Sequence, residues 1–209
     1  MKKLYFLCLV VLGLNISAIA QNYIVQGGLN IATTSNDFTI HRFEELVICP
    51  YIYIYQVTEL TKTFDFLIGL GINTKGTKFN FNWYGEKENT YAYLNYLEMP
   101  LLVKFRHPIN ERYSIFGEFG PSLGFLTSSF YHRVYENSNG EKFRDNNFEF
   151  YDDDYNLLEL SFNIGIGLEY KSYIFAIRGG LGITKFEKQN SNRNQIFALS
   201  FGYKFKTKK

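Results

Sequence analysis

The chain has 209 residues, with 22 Lys and Arg against 20 Asp and Glu. That length suits one domain, and so balanced a charge, without a basic stripe, excludes nucleic acid as a partner. With only Cys8 and Cys49, a disulfide framework and a Cys/His zinc site are excluded too.

The N-terminus reads as a secretory signal peptide. Lys2 and Lys3 form a basic start, residues 4–14 an apolar run, and Ala18-Ile19-Ala20 an A-x-A cleavage box. The run is too short for a spanning helix, which needs about 20 residues. The expected organisation is a signal peptide over residues 1–20 and one barrel domain over 21–209. Cleavage removes Cys8, Lys2 and Lys3, so Cys49 becomes the lone cysteine and basic and acidic residues balance.

Eight strands are predicted after the leader, at 23–33, 46–57, 63–73, 91–106, 113–130, 157–170, 173–186 and 195–205. The sixth is the most informative. Leu158, Leu160, Phe162, Ile164, Ile166 and Leu168 fall on one side, and Glu159, Ser161, Asn163, Gly165, Gly167 and Glu169 on the other. A face of glycine, hydroxyl and carboxylate cannot be the core of a soluble sandwich. A strand that is apolar outside and polar inside belongs to a membrane-spanning barrel. The seventh and eighth alternate in the same way, with Arg178 and Lys204 on their polar faces. The second, VICPYIYIY, is apolar on both faces, so its register is not readable.

The connections alternate in length. Residues 58–62, 107–112 and 171–172 are short, whereas 35–45, 74–90, 131–156 and 187–194 are longer. Outer-membrane barrels have short periplasmic turns and longer extracellular loops. Asn139-Gly140 is a preferred hairpin pair, so strands five and six are expected to continue as a ribbon above the membrane. Outward aromatics gather at the short-turn ends (Phe64, Phe105, Tyr113, Tyr170, Tyr173, Tyr203 and Phe205) and, on the other side, at Tyr91, Tyr93, Phe125 and Trp83. That is the position of interfacial girdles. The expected fold is therefore an all-β, eight-stranded antiparallel transmembrane β-barrel, in the outer membrane of a Gram-negative bacterium.

The segment YLNYLEMPLLVKF at residues 93–105 resembles the most distinctive stretch of the PorT-like outer-membrane β-barrel proteins. GINTKGTKF, IFGEFGPSLGFL, RGGLGIT and NQIFALSFGYKF follow that family's order over nearly the whole chain after the leader. The resemblance implies an outer-membrane barrel of this size, surrounded by outer-membrane lipids and placed there by the barrel-insertion machinery. It transfers no catalytic residues. The family's namesake is associated with a secretion machinery, which implies an envelope or secretion protein as partner. The chain departs from the pattern in ending on Lys206-Thr207-Lys208-Lys209 rather than on an aromatic.

Eight charged residues fall on the inward phase: Asp65, Glu98, Lys104, Glu118, Glu159, Glu169, Arg178 and Lys204. Buried charges are costly unless paired, and an eight-stranded barrel is narrow enough to be filled by side chains. They are expected to form a structural charge network that closes the lumen, with Glu118 or Glu159 within reach of Arg178 or Lys204. A small-solute channel is the alternative use of the same residues. A soluble, lipocalin-like ligand-binding barrel would need the two faces reversed.

No catalytic, cofactor-binding or metal site is expected. His41, His107 and His132 cannot converge on one metal, and His132 beside Ser128 and Ser129 is the only pairing that an acyl-transfer enzyme could use. The loop at 131–156 is the candidate partner surface, with Tyr135, Phe143, Phe148, Phe150 and Tyr151 beside Asp152, Asp153 and Asp154. The aspartates lack the glycine and distal glutamate of a calcium loop. The function expected is that of a non-enzymatic scaffold or interaction module of the cell envelope.

Overall fold

The structure, a computed structural model, describes residues 22–35, 46–83, 86–137, 140–149, 155–188 and 191–206. The signal-peptide assignment, His41 and most of the 35–45 connection lie outside these residues.

Nine strands are present among the described residues: β1 (Asn22–Ser35), β2 (Val47–Glu59), β3 (Phe64–Trp83), β4 (Glu86–Pro108), β5 (Tyr113–Glu136), β6 (Lys142–Glu149), β7 (Leu158–Tyr170), β8 (Tyr173–Gly182) and β9 (Arg193–Lys206). Eight close an antiparallel ring in the order β1-β2-β3-β4-β5-β7-β8-β9, with β9 returning to β1 and β4 pairing with β5. The ninth, β6, lies outside the ring on the upper half of β5. Closure matters because an unpaired backbone group in hydrocarbon costs several kcal/mol.

The wall has the polarity of a membrane barrel. Ile164 and Ile166 are more than 60 % exposed, whereas Glu159 and Ser161 on the same strand are at most 3 % exposed. The face of β2 that the sequence leaves open is settled by its tyrosines. Tyr51, Tyr53 and Tyr55 point inward and Ile48, Ile52 and Ile54 outward; the Tyr55 hydroxyl accepts from Arg178 there, a partner that lipid could not supply. Glycines make room for these large inward side chains. A Cβ on Gly69 would lie 2.6 Å from the Tyr55 ring, and one on Gly167 would lie 2.3 Å from that of Phe116.

Three predicted boundaries are corrected. Residues 74–90 are not a loop, since β3 and β4 stay paired up to Trp83 and Glu86. About 11 residues suffice for a strand to cross a bilayer, so the 20, 23 and 24 residues of β3, β4 and β5 extend well beyond it. The 131–156 connection contains the end of β5 and all of β6, which form a hairpin at Gly140 (φ 81°). In the other direction, β8 stops at Gly182 rather than at 186.

At the short-turn end the outward aromatics form three groups around the ring. Phe64 meets Phe105 (ring centres 5.2 Å apart) and Tyr113 meets Tyr170 (4.7 Å) at a tilt, and Tyr203 meets both Tyr173 (5.4 Å) and Phe205 (4.7 Å) edge-on. The upper girdle differs from expectation. Tyr91 and Tyr93 are half-buried against Ala32, Val47 and Cys49, and Trp83 is described only in its backbone.

Candidate functional site

The lumen is occupied at every level. At the short-turn end, Lys104 Nζ lies 2.7 Å from Glu169, Arg106 lies 3.2 Å from Asp65, and Lys204 lies 3.4 Å from Glu59. Above them Ile24, Leu67, Leu102, Phe116 and Ile174 form an apolar layer. The Lys104 ammonium caps the Phe116 ring at 3.8 Å, which joins the charged layer to the apolar one.

Arg178 organises the middle. Its Nε donates to Glu118, its Nη1 to Tyr55 Oη at 3.1 Å, and its Nη2 to Gln26 Oε1 at 2.6 Å. Gln26 in turn donates to Ser200 Oγ at 2.7 Å. The three partners of Arg178 come from β5, β2 and β1, so the guanidinium ties its own strand β8 to three others, and Gln26 carries the network on to β9. The planar fork of Arg178 suits that task better than a lysine would.

The upper layer belongs to a residue that lies beyond the predicted third strand. Lys75 Nζ sits 2.9 Å from Glu159 on β7 and 3.4 Å from Glu98 on β4. Glu98 also accepts from Asn73 (2.6 Å) and Ser122 (2.5 Å), and Glu159 from Asn194 (2.8 Å). Lys75 can cross the lumen because β3 leaves the wall. Its last pairing with β2 is Asn73 with Tyr51, and residues 73–77 are buried on both faces. Asn30 on β1 donates to the Thr74 carbonyl at 2.9 Å. The β3–β4 ribbon therefore passes inside the β1–β2 hairpin and crosses the mouth.

The other half of the mouth is closed by a cluster of Leu94, Tyr96, Leu126, Tyr155 and Phe186. Tyr155 bridges Glu187 and hydrogen-bonds the Tyr131 hydroxyl.

All eight inward-phase charges, Asp65, Glu98, Lys104, Glu118, Glu159, Glu169, Arg178 and Lys204, are at most 7 % exposed. Lys75, Arg106 and Glu59 join them. Counting in twos from Asp65 reaches Lys75, and counting in twos from Lys104 reaches Arg106; that parity is the signal for both. Between the middle and upper layers remains a cavity of about 20 Å³, beside Asn30, Asn73, Tyr53 and Arg178. That volume holds about one water molecule.

The candidate partner surface is only partly described. Tyr135 lies on β5, opposite Phe143 on β6, and Phe148 faces Phe130. Phe143 and Phe148 are more than half exposed. Phe150, Tyr151, Asp152, Asp153 and Asp154 lie outside the described residues. The acyl-transfer pairing is not assembled. His132 Nδ1 bonds Asn146 at 2.6 Å and its ring lies against Tyr91, while Ser128 Oγ accepts from Asn95 at 3.1 Å. Among the described residues, no three His, Cys, Asp or Glu side chains are grouped to hold a metal ion.

The family model for an outer membrane protein beta-barrel domain matches residues 19–188. No curated protein matches the chain. Among solved structures, similarity is found to Ail, the attachment invasion locus protein of Yersinia pestis, at 13 % identity, covering 89 % of this chain and 99 % of that one, with a TM-score of 0.42. Neisserial surface protein A is similar at 11 % identity, with 88 % and 97 % covered and a TM-score of 0.42. The N-terminal β-barrel domain of Pseudomonas aeruginosa OprF is similar at 10 % identity, with 89 % and 99 % covered and a TM-score of 0.39.

Proposed function

We propose that this chain, which belongs to the outer membrane protein beta-barrel domain family, is a closed, non-enzymatic barrel that acts as a scaffold and interaction module of the cell envelope. The single observation that carries this reading is the lumen. It is crossed by an apolar layer, by the Arg178 network and by the Lys75 ribbon, so a solute has no continuous aqueous path. What such a barrel offers is its outside.

The β5–β6 hairpin is the element best suited to a protein partner. It stands on a strand of 24 residues, carries Phe143 and Phe148 exposed, and mixes them with Lys142, Arg144 and Asp145. Exposed aromatics among charges are the composition of binding surfaces rather than of free loops. The resemblance of YLNYLEMPLLVKF to the PorT-like barrels supports a place in a secretion assembly, with the hairpin as the docking element.

Deletion of residues 137–147 tests this. The variant is expected to reach the outer membrane and keep its shift in gel mobility on boiling, while losing the cross-linked species that the intact chain forms in whole envelopes. An unchanged cross-linking pattern would remove the hairpin as the docking element.

A further inference from the structure

The rim at the short-turn end has a composition that closing the lumen does not explain. The β2–β3 turn carries Lys62, the β4–β5 turn Arg112 and the β7–β8 turn Lys171, and all three are exposed. None pairs with a carboxylate among the described residues; of the nearby acids, Glu59 is engaged by Lys204 and Asn22, leaving Glu111 as the exposed one on these turns.

Each cation stands directly beyond an aromatic pair. Lys62 is beside Phe64, which meets Phe105, and Arg112 and Lys171 are beside Tyr113 and Tyr170. Lys171 Nζ lies 5.5 Å from the Tyr170 ring centre. The turns are tied to their neighbours: Lys171 N donates to Arg112 O on the adjacent turn (2.8 Å), while Thr63 O and Ser172 O accept from Arg106 N on β4 and Lys204 N on β9 (2.7 Å each).

Aromatic belts sit at the headgroup level of a bilayer. The charges one step beyond the belt therefore lie at the depth of the lipid phosphates. Arg112 and Lys171 sit on turns in contact with each other, and Lys62 lies farther round on the β2–β3 turn, so the charges follow the rim along the arc from β2 to β8. A docked protein would meet one part of that arc, whereas lipid headgroups surround all of it.

We propose that this rim is a binding surface for anionic phospholipid headgroups of the periplasmic leaflet, with Lys62, Arg112 and Lys171 each engaging a phosphate. Backbone bonding to neighbouring strands and turns fixes the segments that carry the three cations, and the paired aromatics face the glycerol region above them.

The test places the full barrel in phosphatidylcholine vesicles and measures the motionally restricted fraction of spin-labelled phosphatidylglycerol against spin-labelled phosphatidylcholine. The expected preference for the anionic lipid is about fivefold, the effect of one basic residue near an anionic surface, and it falls in about 0.5 M salt. In K62Q/R112Q/K171Q, checked as folded by its gel-mobility shift, the preference falls towards one. Equal association of the two lipids with the unaltered barrel would overturn the proposal. So would a preference that the triple variant retains. Equal lipid association together with binding of soluble polyglutamate to the unaltered barrel but not to the variant would assign the rim to an acidic periplasmic partner instead.

Discussion

Replacing Lys75 by methionine keeps an unbranched side chain, one atom shorter, and removes the charge that pins the β3–β4 ribbon into the mouth. At an effective dielectric constant of about 20, its contacts of 2.9 and 3.4 Å each correspond to roughly 5–6 kcal/mol of attraction. Desolvation of the ammonium offsets much of that. The larger effect is on what remains, since Glu98 and Glu159 are each 1 % exposed and would face each other with no cation between them. Their bonds to Asn73, Ser122 and Asn194 satisfy oxygens without neutralising charge. Breaking a buried pair in this way costs about 3–5 kcal/mol. The assay is equilibrium urea unfolding in lipid vesicles, followed by fluorescence of the sole tryptophan, Trp83 at the tip of β3, and by gel mobility. K75M is expected to lose that stability, with the Trp83 transition moving to lower urea than the mobility transition because the ribbon leaves before the wall opens. The double variant K75M/E159Q should recover part of the loss. A change below about 1 kcal/mol, the range of an exposed ion pair, would refute the placing of Lys75 across the lumen.

Cys49 lies beneath Tyr91 and Tyr93 at 0 % exposure, so a maleimide should leave it unmodified in the folded barrel and label it readily in K75M; rapid labelling of the unaltered protein would contradict the wedged ribbon. R178M leaves Glu118 buried without its cation and is expected to cost about 3–5 kcal/mol in the same unfolding assay, whereas R178M/E118M, which removes both charges, should be clearly more stable than R178M alone. G167V drives a side chain into Phe116 and is expected to cost about 1–3 kcal/mol through overpacking; pairing it with F116A should relieve part of the clash, and additive losses would argue against the contact.

The architecture was legible where one face is lipid and the other is small or charged. In β7, β8 and β9, Ile and Phe alternate with Gly, Ser and charge, and the polarity of the wall follows from that contrast alone. β2 is illegible because tyrosine suits either face; only Arg178, brought in from β8, gives Tyr55 a reason to point inward. Lys75 is hidden in the sequence for a different reason. Beyond Asn73 the strand lies between the β1–β2 hairpin and the lumen, with neighbours on both faces. No apolar face remains to mark the period, so a polar strand reads as a loop. The inward tilt of Tyr91 and Tyr93 follows from the same departure of β3 from the wall, which is a property of the closed ring rather than of any one segment.

Whether the lumen is closed is read from single-channel recording of the purified, heat-modifiable barrel in a planar bilayer. The unaltered protein is expected to give a flat baseline at every applied potential. Reproducible conductance steps that persist at moderate potential would contradict a closed lumen, and would make the Lys75, Arg178 and Lys104 layers the lining of a solute pathway instead of its seal.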